Sequence, residues 1–366
     1  MAFLGPDDIL VLEKDKGTVK RIVNGKLLPE PLLDVNVATE SERGMLGIAV
    51  TKNGTGANNN NKYVFLYFTE SVQDGNDDCP RDNFCNPGND PLGNRLYRYE
   101  LVDNNKFANP SLLLDLPATS GPAHNGGAIT IGPDNNVYLP IGELREEDIQ
   151  KISSADGRGG ILRVTQNGET VGEKGMLGNT YPLSLYYAYG IRNSFGIDFD
   201  PVTGKLWDTE NGPGFGDEIN LVEPGFNSGW KAVQGMSSNI DDFDPEDDLV
   251  SFEGKVKYSD PKFVMGEDND GEVGITALKF LDSDKLGTEY VNDMFVGDVN
   301  NGRIYHFDLN EDRTELVLEG PLADKITDAR STEEFDSIIF GEGFGGITDL
   351  EVGPDGYLYV VSIAHG

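Results

Sequence analysis

A short turn followed by an aromatic strand recurs along this chain, and no other feature limits its fold so severely. Leu4-Gly5-Pro6-Asp7 precedes Ile9-Leu10-Val11, and Ile131-Gly132-Pro133-Asp134 precedes Val137-Tyr138-Leu139. Val352-Gly353-Pro354-Asp355 precedes Leu358-Tyr359-Val360, and Phe199-Asp200-Pro201 precedes Leu206-Trp207. Weaker copies are Thr51-Lys52-Asn53-Gly54 before residues 63–67, and Leu281-Asp282-Ser283 before Met294-Phe295-Val296. Proline presets φ for a turn, and Asp or Gly closes it. A second strand often follows, at residues 19–22, 96–99, 161–164 and 304–307. Each unit therefore reads as a β-meander, and few segments show a helical period. Meanders repeated along a whole chain bury their faces only against their neighbours, which is the pattern of a propeller. The expected fold is all-β, a six-bladed β-propeller of four-stranded antiparallel blades, with residues 1–366 as one domain. Two separate sandwiches would need a linker, and no Pro/Ser-rich or low-complexity stretch separates the copies.

Charge excludes whole classes of partner. The chain has 29 Lys and Arg against 63 Asp and Glu, a net charge of −34. A nucleic-acid backbone would be repelled. No run of about 18 apolar residues exists, so no membrane span is expected. The 46 glycines favour many tight turns over helical bundles. The two cysteines, Cys79 and Cys85, lie in a polar loop, within an insertion expected at about residues 71–93. Two exposed free thiols are one reading and a short-loop disulfide is the other. No histidine or further cysteine stands near enough in sequence to complete a zinc site. A disulfide implies an oxidising compartment, hence a secreted or periplasmic protein whose signal is absent from this sequence.

Three histidines are present. His306 alternates within an expected strand and reads as structural, and His365 lies at the chain end. His124 stands in Gly121-Pro122-Ala123-His124-Asn125-Gly126-Gly127, a glycine-rich loop before an expected inner strand. A base there could serve a ligand at a channel mouth, and the alternative is a histidine that only caps a turn. Gly190-Ile191-Arg192-Asn193-Ser194-Phe195-Gly196 places a guanidinium and an amide before another inner strand, suited to an anion or a carbonyl. Glu210-Asn211-Gly212-Pro213-Gly214-Phe215-Gly216-Asp217-Glu218 exposes backbone carbonyls and follows them with a carboxylate pair. Such hard oxygen ligands suit Ca²⁺, with Gly212, Pro213, Asp217 and Glu218 as the candidate set. The acidic run at 241–248 reads as a solvated loop.

Taken in order, these motifs resemble the glucose/sorbosone dehydrogenase family of soluble PQQ-dependent aldose sugar dehydrogenases. The resemblance runs from about Phe3 to the end. It is strongest in Glu42-Arg43-Gly44-Met45-Leu46-Gly47, His124-Asn125-Gly126-Gly127, Gly190-Ile191-Arg192-Asn193, and from Gly212-Pro213 through Asp217-Glu218-Ile219-Asn220-Leu221. Pro224-Gly225-Phe226-Asn227-Ser228-Gly229-Trp230 extends it. The resemblance implies a six-bladed propeller that oxidises an aldose at C1 to the lactone. It implies His124 as the general base, Arg192 as the group that stabilises charge on the quinone, and Asn193 as a cofactor contact. Carbonyls of Gly212 and Pro213 would hold Ca²⁺, and Glu42 would lie beside the cofactor. The electron acceptor is not specified.

The family meets the carboxylates of PQQ with a lysine and two arginines. At the matching positions this chain has Asn300, Gly346 and Thr348, and Ile191 replaces the usual histidine before the arginine. Asn300 and Thr348 are the cofactor contacts that the resemblance implies. Arg43, Arg145 and Arg303 are the basic groups that could stand in. The second hypothesis is a dehydrogenase-like propeller without PQQ, acting as a metal-containing binding module or a lactone/ester hydrolase.

Overall fold

The computed structural model describes residues 1–52, 62–72, 90–102, 106–146, 148–267 and 271–363. Cys79, Cys85, His365 and most of the expected insertion lie outside them. The chain divides into two compact units, Met1–Glu147 with Ala155–Tyr186, and Asp148–Ser154 with Tyr187–Gly366.

In the first unit, β1 (Ala2–Gly5), β2 (Asp8–Glu13) and β3 (Thr18–Val23) form an antiparallel meander. Its outer edge is shared by β4 (Lys26–Leu27) and β5 (Leu33–Asp34). The next sheet runs in chain order through β6 (Met45–Val50), β7 (Lys62–Ser71), β8 (Pro91–Val102) and β9 (Lys106–Leu116). β10 (Thr130–Ile131), β11 (Val137–Ile141) and β12 (Gly160–Val164) follow, again antiparallel. β7 shows why these segments are strands. Its run of Tyr, Val, Phe and Leu is buried on both faces from residue 64 to 69, because sheet stacks on sheet. Val64, Leu66 and Phe68 join Leu10, Val19, Met45 and Ile48 in one core between the first two sheets.

The second unit begins with β13 (Tyr186–Tyr189), which pairs in parallel with β17 (Phe226–Asn227), itself parallel to β18 (Lys257–Tyr258). β14 (Ser194–Phe199), β15 (Leu206–Glu210), β16 (Asp217–Val222) and β19 (Phe263–Met265) form a four-stranded antiparallel sheet. β20 (Ile275–Phe280), β21 (Met294–Asp298), β22 (Ile304–Phe307) and β23 (Ile339–Gly341) form another. β24 (Gly346–Val352) and β25 (Leu358–Ile363) close the list as a hairpin. Trp207, Ile219, Phe263, Ile275, Leu278 and Val296 fill the core between the two four-stranded sheets. The α-helices among the described residues are short, α1 (Pro245–Asp248) and α2 (Thr332–Ile338). Among the described residues no helix is long and apolar enough to cross a membrane. The acidic run at 241–248 is exposed apart from Phe243, and its second half folds into α1 under an Asp244 cap.

The repeated turn joins the first strand of a sheet to the second, and its chemistry is the same in the Gly-Pro-Asp copies at 132–134 and 353–355. Asn135 donates its N–H to the Gly132 carbonyl at 2.9 Å, and Gly356 does so to Gly353 at 2.8 Å. Asp134 and Asp355 each accept a backbone N–H two residues on and a tyrosine hydroxyl four residues on.

Within each unit the arrangement is propeller-like, since first strands lie close to first strands. A Cβ on Gly196 of β14 would stand 2.2 Å from the Thr276 carbonyl of β20. A Cβ on Gly47 of β6 would stand 1.9 Å from the Gly127 carbonyl, just before β10. Only glycine allows such approach. Thr209 donates to the Thr276 carbonyl at 2.6 Å, and Thr276 donates to the Ile347 carbonyl of β24 at 2.8 Å.

The expectation of six uniform four-stranded blades is corrected. Among the described residues, the sheets whose strand path numbers four are those beginning at β1, β6, β14 and β20. β24 and β25 form a sheet of two. β17 and β18 are two-residue strands in parallel pairing, because the strands β14 to β16 intervene between β13 and β17, and residues 228–256 intervene between β17 and β18, where a hairpin would have given antiparallel pairing.

Candidate functional site

In the first unit the site is built on the loop before β10. His124 adopts φ +63°, a left-handed backbone uncommon for a residue with a side chain. Two carboxylates hold it there. Glu42 accepts the His124 N–H at 2.7 Å, and the Glu143 carboxylate meets Nδ1 at 2.6 and 2.7 Å. Glu143 is itself fixed by the Arg145 N–H at 2.7 Å and is almost wholly buried. A carboxylate accepts and cannot donate, so the neutral imidazole at this position carries its proton on Nδ1 and presents the Nε2 lone pair. Nε2 makes no hydrogen bond among the described residues. Asn125 is anchored by Asn94 at 3.0 Å through its side-chain oxygen and by the Tyr67 hydroxyl at 3.0 Å through its carbonyl. This carboxylate–imidazole pair is the arrangement of a general base with an orienting partner.

Sequence reasoning assigned Glu42 and missed Glu143. Glu143 follows β11 by two residues, 19 positions after the histidine, and carries no local motif.

In the second unit Arg192 and Asn193 lie between β13 and β14, both buried. The Arg192 N–H donates to Glu210 at 2.6 Å, and its Nη1 donates to the Asn211 carbonyl at 2.6 Å. Its guanidinium lies 5.2 Å from the centre of the Trp230 ring. These contacts fix a positive charge in a site poor in water, where its field is strong. The loop 211–216 carries the expected carbonyls. Neither the Gly212 nor the Pro213 carbonyl accepts a hydrogen bond among the described residues. Asp217 shapes that loop by accepting the Gly212 N–H at 2.8 Å and the Ile275 N–H at 3.1 Å. Burial pushes the Asp217 carboxyl up to about 7, with those two N–H groups pulling the other way. Glu218, the next residue on β16, points to the opposite face of the strand and accepts the Gly235 N–H at 2.7 Å. The structure therefore does not bring the two carboxylates of the candidate metal set together.

Asn300 and Thr348 are exposed. Asn300 donates its N–H to Asp298 at 2.8 Å in the β21–β22 turn, and the Thr348 hydroxyl lies 3.3 Å from the Val361 carbonyl. Of the stand-in basic groups, Arg43 is bound to the Ala118 carbonyl at 2.6 Å, and Arg303 lies 4.0 Å from Glu342. Arg145 takes φ +65° and serves the site through its backbone. Ile191 is fully buried.

Glu218 belongs to a buried polar face that alternation alone does not reveal. Asp208 pairs with Asn220, and Glu210 with Glu218, across β15 and β16, so all four project from one face. All are at most 3% exposed. Glu210 and Glu218 have partners, including Ser228 at 2.6 Å from Glu210. Neither Asp208 oxygen makes a hydrogen bond of ordinary geometry. Burial, then the charge of Glu210, holds the Asp208 carboxyl well above the usual carboxylate range. The unfolded chain therefore loses this proton at lower pH than the folded one does. Stability is full below the ordinary carboxylate pKa and declines as pH rises toward the raised folded value. Asp208→Asn should remove the decline, stabilising the protein by about 1–3 kcal/mol near neutral pH and by less under acid conditions. Urea unfolding across pH checks it, and a gain that grew as pH fell would contradict the sign.

Comparison with known proteins bears on the candidate residues of both units. A family model described as Glucose / Sorbosone dehydrogenase matches residues 1–365. Aldose sugar dehydrogenase YliI of Escherichia coli (strain K12) is 24% identical over 257 residues, which are 68% of this chain and 59% of that protein. Quinoprotein glucose dehydrogenase B of Acinetobacter calcoaceticus is 26% identical over 250 residues, 63% of this chain and 47% of that protein. The PQQ-bound form of aldose sugar dehydrogenase from Streptomyces coelicolor matches in fold, with TM-score 0.68 and 22% identity, over 99% of this chain and 86% of that one.

Proposed function

The chain belongs to the glucose/sorbosone dehydrogenase family, and from that premise we propose that it oxidises an aldose sugar at C1 to the lactone, using PQQ and Ca²⁺. The observation that carries the reading is His124, clasped at Nδ1 by buried Glu143. When bound, the quinone supplies a two-electron acceptor for the hydride leaving C1. His124 Nε2 takes the proton of the C1 hydroxyl, and Glu143 keeps the ring in the tautomer that can do so and stabilises the imidazolium that results. Arg192 supplies fixed positive charge for the oxygen on which negative charge develops. Asn193 contacts the cofactor, as does Glu42, which also fixes the His124 backbone. The unclaimed carbonyls of Gly212 and Pro213 suit Ca²⁺, with Asp217 holding their loop from behind.

The residues fit the quinone end of PQQ. Its carboxylates would meet Asn300 and Thr348, which carry no charge, so affinity should be weaker than a lysine and arginine clamp would give. The hydrolase alternative is not favoured, since the two relatives above are dehydrogenases by name. A secreted or periplasmic location goes with this reading, supported by the Cys79–Cys85 spacing.

Titration of the purified protein with PQQ in excess CaCl₂, followed by the bound-quinone absorbance and by aldose oxidation with a dye acceptor, tests the proposal. A saturable band and sugar-dependent dye reduction are expected. No band and no turnover with any aldose would end the dehydrogenase reading. Asn300→Lys should tighten PQQ by roughly tenfold, the worth of one added charge-assisted contact.

A further inference from the structure

The β21–β22 hairpin carries a second set of chemically capable side chains that the proposed reaction does not use. His306 lies on β22, Asp293 immediately precedes β21, and Asp308 immediately follows β22. Phe295 pairs with His306, so the three residues gather at one end of the hairpin. Asn300 is in the turn at the other end, roughly 20 Å away by the rise of an extended strand.

His306 Nε2 stands 3.0 Å from Asp293 Oδ2 and 3.8 Å from Asp308 Oδ1. One donor atom from each of the three lies within 4.8 Å of the other two. Bonds of about 2.0–2.2 Å to one ion place neighbouring donors roughly 3.0–3.5 Å apart at tetrahedral or octahedral angles. The observed separations bracket that range, and only Asp308, the exposed member, would need to move.

The ring is also held in place. Tyr290 meets it edge-on with centroids 5.1 Å apart, Phe295 lies at 5.1 Å, and Phe340 lies at 6.4 Å. This aromatic shell fixes the direction of Nε2 and keeps that side of the site dry. Asp293 is buried and rigid, whereas the Asp308 side chain is 60% exposed and leaves coordination positions open to water. A protonated imidazole would offset one of their two charges, and a divalent ion would offset both.

We propose that Asp293, His306 and Asp308 form a binding site for a divalent transition-metal ion, of which Zn²⁺ best suits one imidazole with two carboxylates. Imidazole and carboxylate together favour a borderline ion over Ca²⁺, and the Irving–Williams order places Zn²⁺ well above Mn²⁺. This role goes beyond the structural one that strand alternation suggests for His306.

The test is calorimetric titration of the EDTA-treated, dialysed full chain with ZnCl₂ in excess CaCl₂, which occupies any hard-oxygen site. One Zn²⁺ per chain with micromolar or tighter Kd is expected. His306→Gln and the surface variant Asp308→Asn should each weaken it at least tenfold, and His124→Asn should not. Substitution with Co²⁺ should give visible absorption bands that disappear in His306→Gln. Zn²⁺ binding that is absent, that survives both hairpin variants unchanged, or that is lost in His124→Asn would overturn the proposal. Asp308→Asn, whose side chain lies largely in solvent, keeps the result readable if His306→Gln fails to fold.

Discussion

Replacement of His124 by asparagine is expected to lower kcat by about 10²–10⁴ with PQQ, Ca²⁺ and sugar saturating, the usual worth of a positioned general base. Asparagine is the better replacement because it tolerates the left-handed backbone at this position, so a loss of activity is not confused with strain. Glu143→Gln should reproduce much of the loss, about 10²-fold or more, although it alters neither base nor cofactor contact. A glutamine amide can donate to Nδ1, which lets the ring settle in the tautomer whose Nε2 already carries a proton. The PQQ absorbance titration should be little changed in both variants, whereas Arg192→Ala should weaken it. Turnover within about twofold of wild type in His124→Asn would remove the histidine from the mechanism.

The largest expected loss of stability comes from a residue that touches no proposed ligand. Lys279 on β20 reaches Asp198 on β14 at 3.3 Å and Glu351 on β24 at 3.1 Å, joining the first strands of three successive sheets. Burial works against its charge, and the two carboxylates more than reverse the effect, holding the ammonium above its ordinary range. Lys279→Met would leave two carboxylates facing one another with no cation. The set is half-buried, with the Glu351 side chain 32% exposed, so removing its cation costs about 1–3 kcal/mol. The midpoint of urea unfolding should fall with no change in slope. An unchanged midpoint would mean that the charges contribute nothing net, and the additional change of Asp198 and Glu351 to neutral residues should recover most of any loss.

The fold was legible wherever local chemistry repeats. The Gly-Pro-Asp turns before β11 and β25 form the same hydrogen bonds because the same residues recur at the same spacing. The parallel pairing of β13, β17 and β18 was not legible, since two-residue strands have no period to read. In the site, His124 was conspicuous as one of three histidines, whereas Glu143 was hidden among 63 acidic residues. Asp208 and Glu210 are a different case. They alternate with Trp207 and Thr209, which reads as a strand with one wet face, yet both faces of β15 are buried. Alternation reports polarity, and only stacking decides which polar face is dry.

The left-handed backbone at position 124 has a consequence for anyone who diversifies this loop. In a saturation library at that codon, glycine, asparagine and aspartate will yield the most folded protein, and valine, isoleucine and threonine the least, for reasons of backbone geometry alone. Abundance will therefore rank the variants in an order unrelated to proton transfer. A screen that reads product per colony will reward the glycine clone over better catalysts unless each signal is divided by the amount of soluble protein. Pairwise libraries of positions 124 and 143 are the better search, because the partner that orients the ring can then change with it.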